Sequence, residues 1–325
     1  MKLLSWNIQW GRGMDGRVDL ARILRTICRL GDFDVICLQE VAVNFPGLPG
    51  SHGEDQVAEL SAGLPGYTAI YGAATDVPDG RSQFGNAIFS RLPVGQVWRH
   101  LLPWPAELDA PSMQRVLVEA VVTADFGPLR VMTTHLEYYS QRQREIQIDA
   151  IRRLHAEACA MSVRVPLVEG QGGSFEVFPR PAQALLCGDM NFPASAPERA
   201  QILAPFVDGE PAFYDSWEVL HPRETHAPRS ASTRSISSAS PNASTSSSSP
   251  KGWQAASGRM ASMPRPKPRT ISRCGLSWPD GFSCSVSGQR KSAPGVSEAL
   301  LSYVMVERRR IELPTSALRT RRSPS

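Results

Sequence analysis

Residues 184–192 read Ala184-Leu185-Leu186-Cys187-Gly188-Asp189-Met190-Asn191-Phe192, a short apolar run that stops at a Gly-Asp-x-Asn string. A run of this length with turn residues behind it predicts a strand buried on both faces. The Gly-Asp pair turns the chain at the strand end and leaves a carboxylate and an amide just past it. The same pattern recurs upstream, at residues 3–8, 34–39, 67–71, 85–89, 116–122 and 129–134, which are apolar or alternating runs rich in β-formers. Between them Leu20, Ile23, Ile27 and Leu30 recur at steps of three and four and stop at Gly31, which predicts an amphipathic helix with a glycine cap. Ile148, Ile151, Leu154, Ala158 and Met161 repeat that spacing in a longer segment that starts near Ser140. Strands outnumber helices and several follow one another directly. That order favours mixed sheets packed under helices over a doubly wound parallel sheet.

The chain has 325 residues, 42% of them hydrophobic and 20% charged, enough for one large domain or two medium ones with a sizeable core. No apolar run approaches the ~18 residues of a membrane span, and the first residues turn polar too soon for a signal peptide, so a cytoplasmic location is expected. Six cysteines lie far apart with no C-x-x-C, which suggests neither a disulfide framework nor a zinc site; Cys37 and Cys187 sit inside apolar runs and read as buried thiols. The overall charge of +4 joins two unlike parts: residues 1–228 carry a net −8 and residues 229–325 a net +12. An acidic body argues against tight non-specific binding to long nucleic acid, which rests on many Lys and Arg contacts to phosphate.

Five strings fall at or just after predicted strand ends: Ser5-Trp6-Asn7, Leu38-Gln39-Glu40-Val41, Phe89-Ser90-Arg91-Leu92-Pro93, Thr133-Thr134-His135-Leu136 and Gly188-Asp189-Met190-Asn191-Phe192. Together and in this order they resemble the endonuclease/exonuclease/phosphatase superfamily, over residues 2 to about 228. The resemblance implies a deoxyribonuclease I-like α/β four-layer sandwich, two mixed β-sheets face to face with helices outside. It also implies Mg²⁺-dependent hydrolysis of a phosphate ester by in-line attack of water, with Mn²⁺ as a substitute ion. The substrate would be DNA, a nucleotide, a phospholipid head group or a sugar phosphate, and no obligate protein partner is evident.

The residue types agree with that chemistry. A phosphodiester repels hydroxide by its own charge, so a site must neutralise that charge and place a water in line with the leaving oxygen. By resemblance, Glu40 with help from Asn7 holds the metal, since magnesium takes one or two carboxylates and keeps its waters. Asp189 orients or deprotonates the water, and Asn191 and His135 donate hydrogen bonds to phosphate oxygens. Asn7, His135 and Asn191 therefore also count as substrate-binding residues. Taken singly, each has a plainer reading: Glu40 as a solvated strand end, Asp189 as a turn residue, His135 as a structural histidine. Arg91 reads as structural, Arg115 as either a phosphate contact or a solvated edge, and His155, His221 and His226 as surface residues. Residues 42–56, 73–83, 101–113 and 169–182 read as loops.

After Pro228 the character changes. Eleven of the residues from Ser230 to Pro250 are serine, Pro and Arg dominate 259–273, and no periodic apolar pattern remains, so residues 229–325 read as a disordered tail. The family's closing strand and its Ser-Asp-His string are absent, and no histidine follows His226. Reading codons from the third base of one residue through the first two of the next, residues 269–273 can spell Asp-His-Gln-Pro and residues 243–250 can spell Val-Asp-Phe-Val-Phe-Val-Ser. Both missing strings reappear in order in one shifted frame, so the tail reads as out-of-frame translation beginning near Pro228-Arg229. On that reading the terminal strands are missing and turnover by the chain as written is slight or nil; the loss of their side chains, at ~1.5–3 kcal/mol each, is large against a total stability of ~5–15 kcal/mol. A separate alternative is a nucleic-acid-binding protein acting through its basic tail. Salt-sensitive DNA binding that vanishes on deletion of residues 229–325 would mark it.

Overall fold

The computed structural model describes residues 1–78, 82–163, 176, 178–220 and 223, and the backbone of 271–274 and 305–307. In chain order the elements are β1 (Leu3–Asn7), α1 (Leu20–Leu30), β2 (Val35–Val43), α2 (Gln56–Gly63), β3 (Thr68–Val77), β4 (Ser82–Ser90), β5 (Val94–Leu101), β6 (Val116–Ala124), β7 (Gly127–His135), α3 (Gln141–Ser162), β8 (Ala184–Asp189), α4 (Pro197–Leu203), β9 (Phe213–Asp215), α5 (Ser216–Leu220), β10 (Ile271–Cys274) and β11 (Met305–Glu307). One sheet has the order β10-β1-β2-β4-β3 and the other β5-β6-β7-β8-β11-β9. Each contains one parallel pair, β1 with β2 and β7 with β8, among antiparallel neighbours.

Strand periodicity divides the apolar residues among three cores, and the three cores make four layers. Leu3, Val35, Cys37, Val118, Val131 and Leu185 point between the sheets. Their sequence neighbours Leu4, Ile36 and Leu38 pack outward against Ile23 and Ile27 of α1 and Leu60 of α2. On the other sheet Leu117, Met132 and Leu186 pack outward against Ile148 and Ile151 of α3 and Ile202 of α4. Side chains alternate across a strand, so a strand covered on both faces is apolar at most positions. That is why β1, β2, β6 and β8 read as largely apolar runs, broken where Ser5, Gln39 and Glu119 find buried polar partners. Asp19 caps α1, its side chain accepting from the Arg22 amide at 2.7 Å, and the helix ends at Gly31. Ser140 caps α3 by accepting from the Gln143 amide at 3.0 Å.

Several elements extend or depart from the sequence reading. β3 continues through Val77, because Gly72, Ala73 and Thr75 pair with β4 although their residue types look like a loop. β2 runs to Val43, into the expected 42–56 loop, and α2, which starts at the last residue of that loop, was not expected. β5 was not expected; it is a half-exposed edge strand with a register shift between Val94 and Val97, so it lacks a clean alternation. The reading of residues 229–325 as a disordered, out-of-frame tail falls outside the described residues except at two short strands. β10 lies antiparallel to β1 with Ile271 opposite Trp6, and β11 lies between β8 and β9, so backbone from the tail stands where the sequence reading leaves strands out. Among the described residues Cys28, Cys37 and Cys187 are free thiols, with Cys37 and Cys187 buried as expected. No helix among the described residues is long and apolar enough to cross a membrane.

His155 corrects the sequence reading: it is fully buried on α3, not a surface residue. Arg130, on β7 and also fully buried, donates from Nη2 to His155 Nδ1 at 2.7 Å, and His155 Nε2 lies 2.9 Å from the Pro211 carbonyl. An arginine only donates, so Nδ1 must be the acceptor and Nε2 must carry the proton. Arg130 also faces Glu119, which Arg180 grips through two hydrogen bonds of 3.0 and 2.9 Å and His100 approaches at 3.1 Å. Burial alone would raise the Glu119 carboxyl, but the hydrogen bonds from His100 and Arg180 and the Arg130 charge outweigh it and hold it down to about 2. Burial, and then the Arg130 charge, push His155 down to about 4.

An unfolded histidine titrates near ~6.5. Between that value and about 4 the unfolded chain binds a proton at His155 that the folded chain refuses, so acid in this window destabilises the fold. The unfolding midpoint is therefore expected to fall as pH drops from 7 to 4.5, and to fall less steeply in His155→Gln, which has no proton to take up. Parallel pH profiles for the two proteins would contradict this account.

Candidate active site

Four strand tips meet at one end of the sandwich. Both parallel pairs end there, and the carboxyl ends of parallel strands are where an α/β sheet presents side chains to a ligand. Asn7 ends β1, Glu40 interrupts β2, His135 ends β7 and Asp189 ends β8. The residues singled out from the sequence are therefore adjacent in space, although up to 184 positions separate Asn7 from Asn191.

Glu40 owes its direction to a β-bulge. The register between β2 and β4 slips between Gln39 and Val41, and Glu40 takes the left-handed backbone conformation at φ +58°. A bulge re-aims one side chain without ending the strand. Gln39 stays in the inter-sheet core, donating to Thr133 Oγ1 at 2.8 Å and to Ser5 Oγ at 3.3 Å. This buried polar contact pins the two sheets together beneath the site. Cys37 and Cys187 meet across the same interface, where burial pushes the Cys37 thiol up.

The Asn7 amide joins the tips. Its Nδ2 donates to Glu40 Oε1 at 2.7 Å and to Asp189 Oδ2 at 3.1 Å, and its Oδ1 accepts from the Gln9 amide at 3.0 Å. Asn7 thus turns nitrogen toward both carboxylates. Two carboxylates touching one nitrogen stand within about 6 Å of each other, where two negative charges repel by about 3 kcal/mol at an effective dielectric of 20. His135 Nδ1 lies 3.8 Å from Glu40 Oε1. Burial foremost, and then the Arg115 charge, push His135 down to about 3 against the pull of Asp189, so the imidazole is neutral at pH 7.

The Gly-Asp-x-Asn string has a steric reason. Gly188 has φ +146°, and a Cβ there would stand 1.9 Å from the Thr134 carbonyl oxygen of β7. Only glycine lets β8 lie this close beside β7, with His135 opposite Asp189 and the Leu136 amide on the Asp189 carbonyl at 2.9 Å. Asn191, left-handed at φ +54°, donates its backbone N–H to Asp189 Oδ1 at 3.1 Å and its Nδ2 to the Leu136 carbonyl at 2.8 Å. It closes a turn that orients Asp189.

Arg115, left between two readings by the sequence, is buried and paired. Its Nε and Nη2 reach Glu137 Oε2 at 3.3 and 3.2 Å, so it is no solvated edge. Glu137 is in turn fixed by the Tyr139 amide, which donates to its Oε1, while its own N–H donates to Gln147 Oε1. Glu137 was missed from the sequence, because nothing local marks a carboxylate just past the end of β7 as the partner of Arg115. Arg91 is structural as read, pairing with Asp34 at 2.8 Å and with Asp32. His221 and His226 lie outside the described residues.

Gly188→Ala should cost ~1–3 kcal/mol through the clash with Thr134, read as a lower unfolding midpoint. An unchanged midpoint would show that β8 withdraws freely from β7.

A profile of the Endonuclease/Exonuclease/phosphatase family matches residues 4–254 of this chain. Among solved structures, a mannosyl-6-phosphatase of Bacteroides thetaiotaomicron VPI-5482 shares 19% identity, with 67% of this chain and 73% of that chain covered at a TM-score of 0.45. D. rerio TDP2, complexed with a single-strand DNA product, shares 18% identity over 94% of this chain and 83% of that chain at 0.46. The human Nocturnin catalytic domain with a bound sulfate anion shares 15% over 70% and 76% at 0.47. No curated protein sequence matches. The profile covers well over half of the chain, including every residue that builds the site, and on that ground the chain belongs to the endonuclease/exonuclease/phosphatase family.

Proposed function

We propose that this site hydrolyses a phosphate ester with Mg²⁺ bound, by in-line attack of water and without a covalent enzyme intermediate. The observation that carries the reading is the single Asn7 amide that holds Glu40 and Asp189 together beside a neutral His135. Two carboxylates held that close are relieved by a cation, and their oxygens are the hard donors magnesium prefers. Among the described residues no three His, Cys, Asp or Glu side chains gather as a metal cluster, and magnesium fits a site of one or two carboxylates because it keeps most of its waters. Glu40 would hold the ion, with Asn7 beside it; Mn²⁺ fits the same donors.

Held by Glu40 with Asn7 beside it, a divalent cation would supply charge neutralisation and Lewis acidity toward the phosphate. The chain's own residues do the rest. Asp189, anchored by Asn7 and by the Asn191 backbone, aims or deprotonates the attacking water. His135, kept neutral by burial and Arg115, donates a hydrogen bond to a phosphate oxygen as charge builds there. Asn191 adds a neutral donor. Arg115, buried and locked on Glu137, is the positive charge that acts on His135. The substrate classes are those the resemblance implies: DNA, a nucleotide, a phospholipid head group or a sugar phosphate.

The absence of the closing Ser-Asp-His string favours a second reading, that the chain as written turns over little or not at all while the frame-restored chain is the working enzyme. Both proteins are to be assayed on bis-p-nitrophenyl phosphate and plasmid DNA with Mg²⁺ and with EDTA. The frame-restored chain should cleave only with metal. Asp189→Asn should lower its kcat by ~10²–10⁴, and Glu40→Gln should raise the Mg²⁺ concentration needed for half-maximal rate. Metal-independent cleavage, or full activity in Asp189→Asn, would refute the assignment.

A further inference from the structure

We infer that Gln56 is a positioning residue of this site: its side chain ties the tip of β1 to the tip of β2 and so sets how Asn7 and Glu40 stand toward each other. The inference deepens the metal-dependent reading and rests on it for the identity of the ion. Gln56 opens α2, directly after the capping Asp55, and is fully buried. Glutamine is mostly an exposed residue, and a buried amide must find partners at both ends or lose its hydration uncompensated. Gln56 finds both. Its Oε1 accepts from the Ala42 amide at 3.1 Å, and its Nε2 donates to the Trp10 carbonyl at 2.9 Å.

The two anchor points lie where the backbone leaves regular geometry. Ala42 is two residues past Glu40, just beyond the bulge. Trp10 is three residues past Asn7, in a turn where Gln9 and Trp10 both have left-handed backbones at φ +49° and +44°. Backbone hydrogen bonds hold both places in part, with the Ile8 amide on the Gln39 carbonyl at 3.1 Å, the Arg12 amide on the Gln9 carbonyl at 2.9 Å and Ala42 paired with Phe84, but neither Glu40 nor Trp10 keeps regular strand geometry, and a side-chain tie between the two segments limits how far they can shift. Gln56 grips both at once. Tyr71 Oη adds a lesser strut, donating to the Val41 carbonyl at 3.2 Å. In these contacts Gln56 acts on Asn7 and Glu40 through their backbones.

The test uses the full chain and Mn²⁺ as the probe, its binding followed by water-proton relaxation well below the unfolding midpoints. Gln56→Leu removes both contacts and is expected to weaken Mn²⁺ binding about 10- to 100-fold, the loss typical of groups that orient metal ligands. Leu60→Ala, a cavity in the same helix at a fully buried position, is the structural control; it should lower the midpoint and leave Mn²⁺ affinity unchanged. Gln56→Glu keeps the shape and the acceptor for Ala42 and loses only the donor to Trp10. Its added negative charge would by itself draw the cation in, so weaker binding there reports geometry, and it decides the matter should Gln56→Leu fail to fold. Wild-type affinity in a folded Gln56 variant, or equal weakening in Leu60→Ala, overturns the inference alone. A wild-type chain that takes up no Mn²⁺ overturns the metal reading and this inference with it.

Discussion

Two hydrogen bonds from the Asn7 amide, to Glu40 and to Asp189, hold the site in one piece. Asn7 and Glu40 belong to one sheet and Asp189 to the other, so the contact spans the sandwich interface. Without a donor between them the two carboxylates would stand apart or share a proton, and neither arrangement is useful for binding a dication. A neutral amide can hold both without adding charge, which leaves the site negative and able to attract a cation. The buried Gln39–Thr133 bond directly beneath keeps the two sheets in register at the point where the amide must reach.

The local conformations that aim the site residues are costly, and they are concentrated at the site. Of the five described non-glycine residues with left-handed backbones, Gln9, Trp10 and Asn191 lie just past the strand tips that carry it and Glu40 lies in the bulge of β2. Each such residue costs on the order of 1–3 kcal/mol and persists only where its surroundings over-determine it. Here the surroundings are side-chain amides: Asn7 on the Gln9 amide, Gln56 on Trp10 and Ala42, Asn191 on Leu136. Regular strands deliver the chain to the site, and amide side chains then fix the irregular backbone that turns each functional group inward.

The same strand carries a second, quite different polar cluster. Five residues before His135, Arg130 enters the buried network of Glu119, Arg180, His100 and His155 on the outer face of its sheet. Removing one partner from a buried pair typically costs ~3–5 kcal/mol, because the remaining charge is left in a low dielectric. This network clamps β6, β7, α3 and the chain entering β8 to one another. β7 is thereby held at its far end by charge and at its near end by the packing of His135 and Leu136.

Strand periodicity alone was enough to place most of the β-structure, because a strand covered on both faces is apolar at most positions and leaves an unmistakable run, as in residues 184–187. The Gly31 cap of α1, the start of α3 near Ser140 and the five strand-end strings were legible for the same local reason: capping and turn chemistry act over a few residues. The edge strand β5 and the far half of β3 were not legible, since their residues are polar or small and only pairing with a neighbour makes them strands. His155 misled for a related reason, as a histidine on a helix shows no sign of whether an arginine from another strand will meet it. The sequence by itself determined which side chains stand at the strand tips. Only the tertiary structure decided that Asn7 turns its nitrogen to both carboxylates, that Arg115 is locked on Glu137 and that Gln56 spans two tips, because hydrogen bonds between residues far apart in the chain depend on distances that no local pattern encodes.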